Sequence, residues 1–291
     1  MNGTDSESVG PLNLASAVVV GGGTMGAGIA ESLLLTMPGN VQVTVLEADP
    51  RRSDQVRTSI SEAVARHASP DGRDAAIARL HVLDFENGVV ATEPQLVIEA
   101  VPEREELKAS VLSVVADRWP SAIIASNTSS LSLTRLSQTV SDPTRFVGMH
   151  FFNPVPRSEL VELVVPQSTA LSTIEWSRAF IRALGKEVIQ VGDFPGFATS
   201  RLGVAIGLEA IRMVEDGVAS PEDIDRGMVL GYKFPIGPLR LTDLVGIDVR
   251  LAIADYLSAE LGDRFEAPKL MRDMVTAGRL GKKSGQGFYS W

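Results

Sequence analysis

The sequence contains no cysteine. That single absence excludes disulfides, Cys-ligated zinc, iron–sulfur clusters and thiol catalysis. Histidine is nearly as scarce, with only His67, His81 and His150. Aromatic residues are 5% of the chain, so any core must rest on Val, Leu, Ile and Ala. No apolar run approaches the roughly 20 residues a membrane span needs. Positive charge is in deficit, 27 Lys and Arg against 36 Asp and Glu, for a net charge of −9. A chain this acidic lacks the footprint of a nucleic-acid binder, and neither DNA, RNA nor an anionic membrane is an expected partner. The first residues, MNGTDSESVGPLNL, are polar and acidic where a secretory signal is basic then apolar and a transit peptide is Arg-rich. They read as a disordered tail over 1–14 on a cytoplasmic protein.

What is present is ordinary globular material, 44% hydrophobic and 22% charged. At about 100–200 residues per domain, a chain of 291 residues suggests two domains. Short β-rich runs at 16–20, 41–46, 96–101, 121–125, 145–150, 159–165 and 187–191 alternate with longer helical stretches, the pattern of an α/β parallel sheet covered by helices. Three of these runs, SAVVV, LVIEAV and SAIIA, are nearly continuous apolar stretches, as expected of strands buried on both faces. Ser172-Thr-Ile-Glu175 reads as a capping box opening a helix that runs to about Leu184. After Asp193-Phe-Pro-Gly196 apolar residues recur at helical spacing, and Ser220-Pro221-Glu-Asp223 carries an N-cap, a first-turn proline and first-turn acids. A boundary near 192–195 follows, with a sheet domain over 15–193 and an all-α domain over 194–291.

Directly after SAVVV stands Gly21-Gly-Gly23-Thr24-Met25-Gly26, followed by a helical stretch. Glycines are common in turns, but a strand before, a helix after and an acid closing the next strand are the context a dinucleotide requires. Gly21 permits the tight turn, Gly23 the approach of a pyrophosphate, and Gly26 close packing of helix on sheet. Glu47 closes the next strand, where a carboxylate bonds the adenosine ribose 2′-hydroxyl and repels a 2′-phosphate, favouring NAD. Two other readings stay open here: Glu47 as a surface carboxylate, and Arg51 or Arg52 as ligands of an NADP phosphate.

His150 closes the strand RFVGMH, and in open α/β sheets ligands bind beyond the carboxyl ends of strands. Ser129 follows the strand SAIIA in the same way. Glu162 lies within the apolar run ELVELVV, where a carboxylate must find a partner unless it faces outward from an edge strand. A carboxylate bonded to one imidazole nitrogen fixes the tautomer and raises the basicity of the other, which suits proton abstraction from an alcohol. His67, in a polar helical stretch, and His81, before a strand, are assigned no chemistry.

Taken together, GGGTMGAGIAES, LVIEAVPE with Lys108, ASNTSSL, GMHFFNPVP, GFATSRL, IGPLRLTDLVG and LGKKSGQGFYSW resemble the L-3-hydroxyacyl-CoA dehydrogenase family in order and from about residue 16 to the last residue. The resemblance implies a Rossmann-like, mostly parallel sheet domain, then an all-α domain that forms a homodimer. It implies NAD as cofactor, an acyl-CoA substrate of fatty acid metabolism and no metal. His150 matches the family's general base, Glu162 its orienting partner, Ser129 a serine that bonds the substrate oxygen and the base, and Asn153 an asparagine that helps hold them. Glu103 and Lys108 match positions lining the nicotinamide half of the cofactor, Lys283 a lysine that reaches it, and Ala100, Val101 and Asn127 further cofactor contacts.

One departure falls on the site itself. Ser200 stands in Gly196-Phe-Ala-Thr-Ser200 where the family has an asparagine that donates to the reacting oxygen. Losing one preorganised donor there typically costs about 2.7 to 4 kcal/mol. Ser200 therefore donates from closer range or through water, or the substrate differs, or activity is reduced. The stretch 48–79, where the family grips CoA phosphates, offers Arg57, Arg66, Arg73 and Arg79. Two alternatives stand beside the dehydrogenase reading: a carrier-protein-tethered or free hydroxy acid as substrate, and an NAD-binding protein with impaired catalysis.

Overall fold

The computed structural model describes residue 12 and residues 14–291. Of the expected tail over 1–14, only Leu12 and Leu14 are among them, and Leu14 is buried in the core of the sheet. The chain forms two compact units, 1–193 and 194–291.

The first unit is built on an eight-stranded sheet: β1 (Ser16–Val20), β2 (Gln42–Glu47), β3 (Leu80–Asp84), β4 (Leu96–Glu99), β5 (Ile123–Ser126), β6 (Phe146–Phe151), β7 (Leu160–Val165) and β8 (Glu187–Gly192), in the order β3-β2-β1-β4-β5-β6-β7-β8. Every pairing is parallel except β6 with β7. The order reverses between β1 and β4, the switch point at which open α/β sheets bind ligands. The helices are α1 (Thr24–Thr36), α2 (Ser53–His67), α3 (Pro70–Ile77), α4 (Glu105–Arg118), α5 (Leu133–Ser137) and α6 (Leu171–Ala183). The mostly parallel α/β sheet expected from the alternation is present.

Three details differ from the sequence reading. β3 was not expected: its pattern is buried only at Leu80 and Val82, too short a signal beside α3, and His81 lies inside it rather than before it. α6 starts at Leu171 with Ala170 as N-cap and no side-chain cap, so Ser172-Thr-Ile-Glu175 is not a capping box. A box needs an extended Ser at the cap, and here that residue is already in the first turn. Glu162 is not on an edge, because β7 lies between β6 and β8.

The second unit is helical: α7 (Thr199–Glu215), α8 (Pro221–Gly231), α9 (Pro238–Val245), α10 (Ile247–Leu261) and α11 (Lys269–Thr276). Ser220 caps α8 as expected, its Oγ accepting from Asp223 N at 3.1 Å. Val204, Leu208, Ile211, Leu239, Ile247, Leu257 and Met271 form its core. Among the described residues no helix is long and apolar enough to cross a membrane.

Candidate active site

The glycine turn joins β1 to α1 beside β4. Gly21 has φ 101°, a left-handed value that favours glycine. A Cβ on Gly26 would lie 1.9 Å from Gly21 O, so helix and turn touch through backbone and no other residue fits. A Cβ on Gly23, in contrast, would meet nothing within 4 Å, and Gly23 caps α1 without any side-chain hydrogen bond. The first N–H groups of α1, at Thr24 and Met25, are therefore left for an anion. These features fit a pyrophosphate.

Glu47, 5% exposed at the end of β2, is held by the same turn. Its Oε2 accepts from Gly22 N at 3.2 Å and its Oε1 from Asp49 N at 3.2 Å. Arg52 pairs with Glu47 at 3.5 Å, and Arg51 forks onto Asp49 through two bonds of 2.9 Å. Both arginines pair with carboxylates of this chain, and Glu47 itself stands where it would repel a 2′-phosphate.

Next to the turn, β4 and α4 carry a buried ionic cluster. Lys108, 1% exposed, donates to Glu99 Oε1 at 2.7 Å and Val101 O at 3.0 Å, and lies 3.3 Å from Glu103. Glu99 is fully buried and also accepts from Ser126 Oγ at 2.6 Å and Val101 N at 2.7 Å. Glu103 gathers the loop after β5: Thr128 Oγ1 at 2.6 Å, Ser129 N at 2.8 Å and Ser129 Oγ at 3.1 Å. Burial by itself raises the Glu103 pKa, but the Lys108 charge and the bonds from Thr128 and Ser129 outweigh it and hold the carboxyl below its usual range. Glu99 carried no sequence signal beyond an acid in an apolar run.

His150 and Glu162 face each other across the antiparallel β6–β7 pair, in register. Nδ1 of His150 lies 2.7 Å from Glu162 Oε2, with His150 7% exposed and Glu162 fully buried. A carboxylate at that distance orients the imidazole ring. Asn127 supports the strand end, its Oδ1 accepting from Phe151 N at 2.9 Å. Among the described residues no group of three or more His, Asp or Glu can hold a metal ion.

With its glycine turn, the acid at the second strand and the His–Glu pair, the chain as a whole can be set beside known proteins. The family model described as the 3-hydroxyacyl-CoA dehydrogenase NAD binding domain matches residues 16–194, and that of the family's C-terminal domain matches 196–291. The chain belongs to the 3-hydroxyacyl-CoA dehydrogenase family. A 3-hydroxybutyryl-CoA dehydrogenase of Mycobacterium tuberculosis is 40% identical over 94% of this chain and 97% of its own. A probable 3-hydroxybutyryl-CoA dehydrogenase of Bacillus subtilis is 35% identical over 96% and 98%. The crystal structure of an (S)-3-hydroxybutyryl-CoA dehydrogenase from Ralstonia eutropha superposes with a TM-score of 0.88 at 36% identity, covering 96% of this chain and 99% of that one.

As a member of this family the chain is an NAD-dependent oxidoreductase, and the remaining expected positions fall as follows. Ala100 and Val101 follow β4 directly and are half-buried. Asn153 is exposed in the loop after β6, three residues beyond His150. Ser200 lies half-buried in the first turn of α7, and Lys283 pairs with Asp248 at 2.6 Å; both belong to the helical unit. Of the four candidate CoA arginines, Arg57 donates to Leu80 O at 3.1 Å. Arg79 is buried against the carbonyls of Leu34, Met37, Pro38 and Val41, closing the end of α1. Arg66 and Arg73 are exposed.

Proposed function

We propose that this dehydrogenase oxidises (3S)-3-hydroxyacyl-CoA, 3-hydroxybutyryl-CoA among them, reversibly to 3-oxoacyl-CoA with His150 as general base. The observation that carries the reading is the buried 2.7 Å bond between His150 and Glu162 at the carboxyl end of β6. Nε2 takes the substrate hydroxyl proton, and Glu162 stabilises the imidazolium formed. NAD, when bound, supplies the hydride acceptor at the nicotinamide ring. Ser129, whose hydroxyl donates to Glu103 at 3.1 Å, is the group assigned to hold the reacting substrate oxygen. Ser200 is the second group assigned to that oxygen, and Asn153 the group that steadies the base. Gly21, Gly23, Thr24, Met25 and Gly26 hold the pyrophosphate, Glu47 the ribose, and Ala100, Val101, Glu103, Lys108, Asn127 and Lys283 the nicotinamide half.

The test is consumption of NADH with acetoacetyl-CoA and longer 3-oxoacyl-CoA thioesters. No turnover at any chain length, with NADPH also tried, overturns the reading. A Ser200→Asn variant that gains a large factor in turnover identifies impaired chemistry in this chain; no gain or a loss points to an altered substrate.

A second reading keeps the scaffold and changes the substrate to a carrier-tethered or free hydroxy acid. Two observations favour it: Arg57 and Arg79 are committed to backbone carbonyls, and a 32% identical structure with a TM-score of 0.74 is named for a dehydrogenase of a pyridine carboxylic acid, not of a thioester. Comparing kcat/KM for the CoA thioester, the carrier thioester and the free acid separates the two. We further assign a homodimer formed through the helical unit, where Leu202, Val218, Leu230 and Tyr232 are more than half exposed and a cavity of about 650 Å³ opens along α8 and α9. Sedimentation of Leu230→Glu against wild type tests it. The cytoplasm is the proposed compartment, checked by fractionating cells that express the full chain.

A further inference from the structure

Lys186 is a buried cation with no acidic partner among the described residues. It follows α6, immediately before β8, and is 7% exposed. Its ammonium donates to Val155 O at 2.7 Å and to Ser158 O at 2.6 Å, and among the described residues no carboxylate lies within ion-pair distance. Burial pushes its pKa down, the signature of a charge that the surroundings penalise. An apolar side chain of the same length would avoid that penalty. What the ammonium does in return is hold two carbonyls of one loop.

That loop, 152–159, is the connection of the β6–β7 hairpin, and it stands between the two halves of the dyad. His150 is the second-last residue of β6, Asn153 lies within the loop, and Glu162 is the third residue of β7. The opposite side of the loop rests on α1. A Cβ added to Gly28 would lie 3.1 Å from Val155 Cβ, and Val155 is 2% exposed. The loop is thus clamped between the helix that follows the glycine turn and the Lys186 ammonium. A hydrogen bond from Glu187 N to Glu159 O at 2.6 Å extends the clamp into β8.

We infer that Lys186 is a positioning residue for catalysis, whose ammonium fixes the hairpin loop so that His150, Glu162 and Asn153 keep their mutual geometry. The inference rests on the proposed role of the dyad. Small misplacements of reacting groups cost far more in turnover than in stability, about 100-fold for a shift near 1 Å.

The experiment compares Lys186→Met, Lys186→Gln and Lys186→Arg in the full chain, with His150→Gln as reference. For K186M we expect kcat to fall about 10- to 100-fold, with NAD affinity unchanged and a thermal midpoint lowered only modestly, since the cost of two carbonyls left without a donor is offset by removing a buried charge. K186R, which carries a permanent charge and two donors for the two carbonyls, should recover most of kcat. A purely structural lysine would lower the midpoint and leave the kcat of the folded protein at the wild-type value. Should K186M not fold, K186Q decides: one neutral amide serving two carbonyls predicts an intermediate kcat, and wild-type kcat in folded K186Q overturns the inference. Wild-type kcat in K186M with an inactive H150Q overturns Lys186 alone. An H150Q as fast as wild type overturns the dyad on which the inference rests.

Discussion

In the sheet unit the buried carboxylates Glu99 and Glu162 face a lysine and a histidine, whereas in the helical unit the buried Asp225 and Asp243 give most of their oxygens to backbone N–H groups. Asp225 accepts from Leu239 N and Arg240 N at 2.8 Å each, closing the start of α9, and from Tyr289 Oη at 2.8 Å. That bond, after the larger effect of burial, raises the Tyr289 pKa. Asp243 accepts from Phe288 N, Tyr289 N and Trp291 Nε1 at 2.9 to 3.0 Å, tying the last residues to α9. A carboxylate saturated by backbone amides is a structural fastener. One paired with a titratable side chain at the carboxyl edge of a sheet is equipped for proton transfer.

The comparison breaks most decisively at Glu162. Glu162→Gln should lower turnover by about 10²- to 10⁴-fold with NAD binding retained, measured by kcat and by titration of the cofactor. Wild-type turnover would remove Glu162 from the mechanism and reduce it to the same kind of fastener as Asp243. The converse test is Asp243→Ala, which strands three donors. Stability of the helical unit should fall by about 3 kcal/mol or more in denaturant titration, and the affinity for NAD of the folded protein at low denaturant should stay the same.

Between these extremes stands Glu47, a carboxylate with backbone partners that also faces the proposed ribose. Glu47→Ala should weaken NAD about tenfold or more and reduce discrimination against NADP. Adding Asp49→Ser, which frees Arg51, should reduce it further; an unchanged preference in both variants would place selectivity elsewhere. The smallest effect is expected at Glu103. Its folded pKa lies below the unfolded value, so its contribution to stability is complete above the ordinary carboxylate pKa of 4.5 and is lost as pH falls through the depressed value. Glu103→Gln should therefore flatten the acid limb of the stability profile. An identical limb would mean that Lys108 is neutralised by Glu99 alone.

How much of this was legible in the sequence follows from how local each signal is. The glycine turn, Glu47 and the Ser220 cap are set by neighbours within a few residues or by a fixed offset along a βαβ unit, and their spacing exposes them. His150 and Glu162 were recognisable as residue types at strand positions, but the bond between them depends on β7 running antiparallel to β6, a reversal that nothing in either strand encodes. Glu99 and Lys186 were missed for a related reason: Glu99 meets Ser126 across the sheet, and Lys186 meets a loop about 30 residues earlier in the chain. Arg57 and Arg79 looked available for phosphates because an arginine in a polar helical stretch reads as exposed. Only the packing of α1 and β3 shows that backbone carbonyls already occupy them.

By itself, then, the sequence determined the class of chemistry. A chain without cysteine and with three histidines, one of them closing a strand, leaves few groups able to move a proton, and the glycine turn selects a dinucleotide. The tertiary structure decided which partner each buried charge meets, because those partners come from strands and loops remote in the chain.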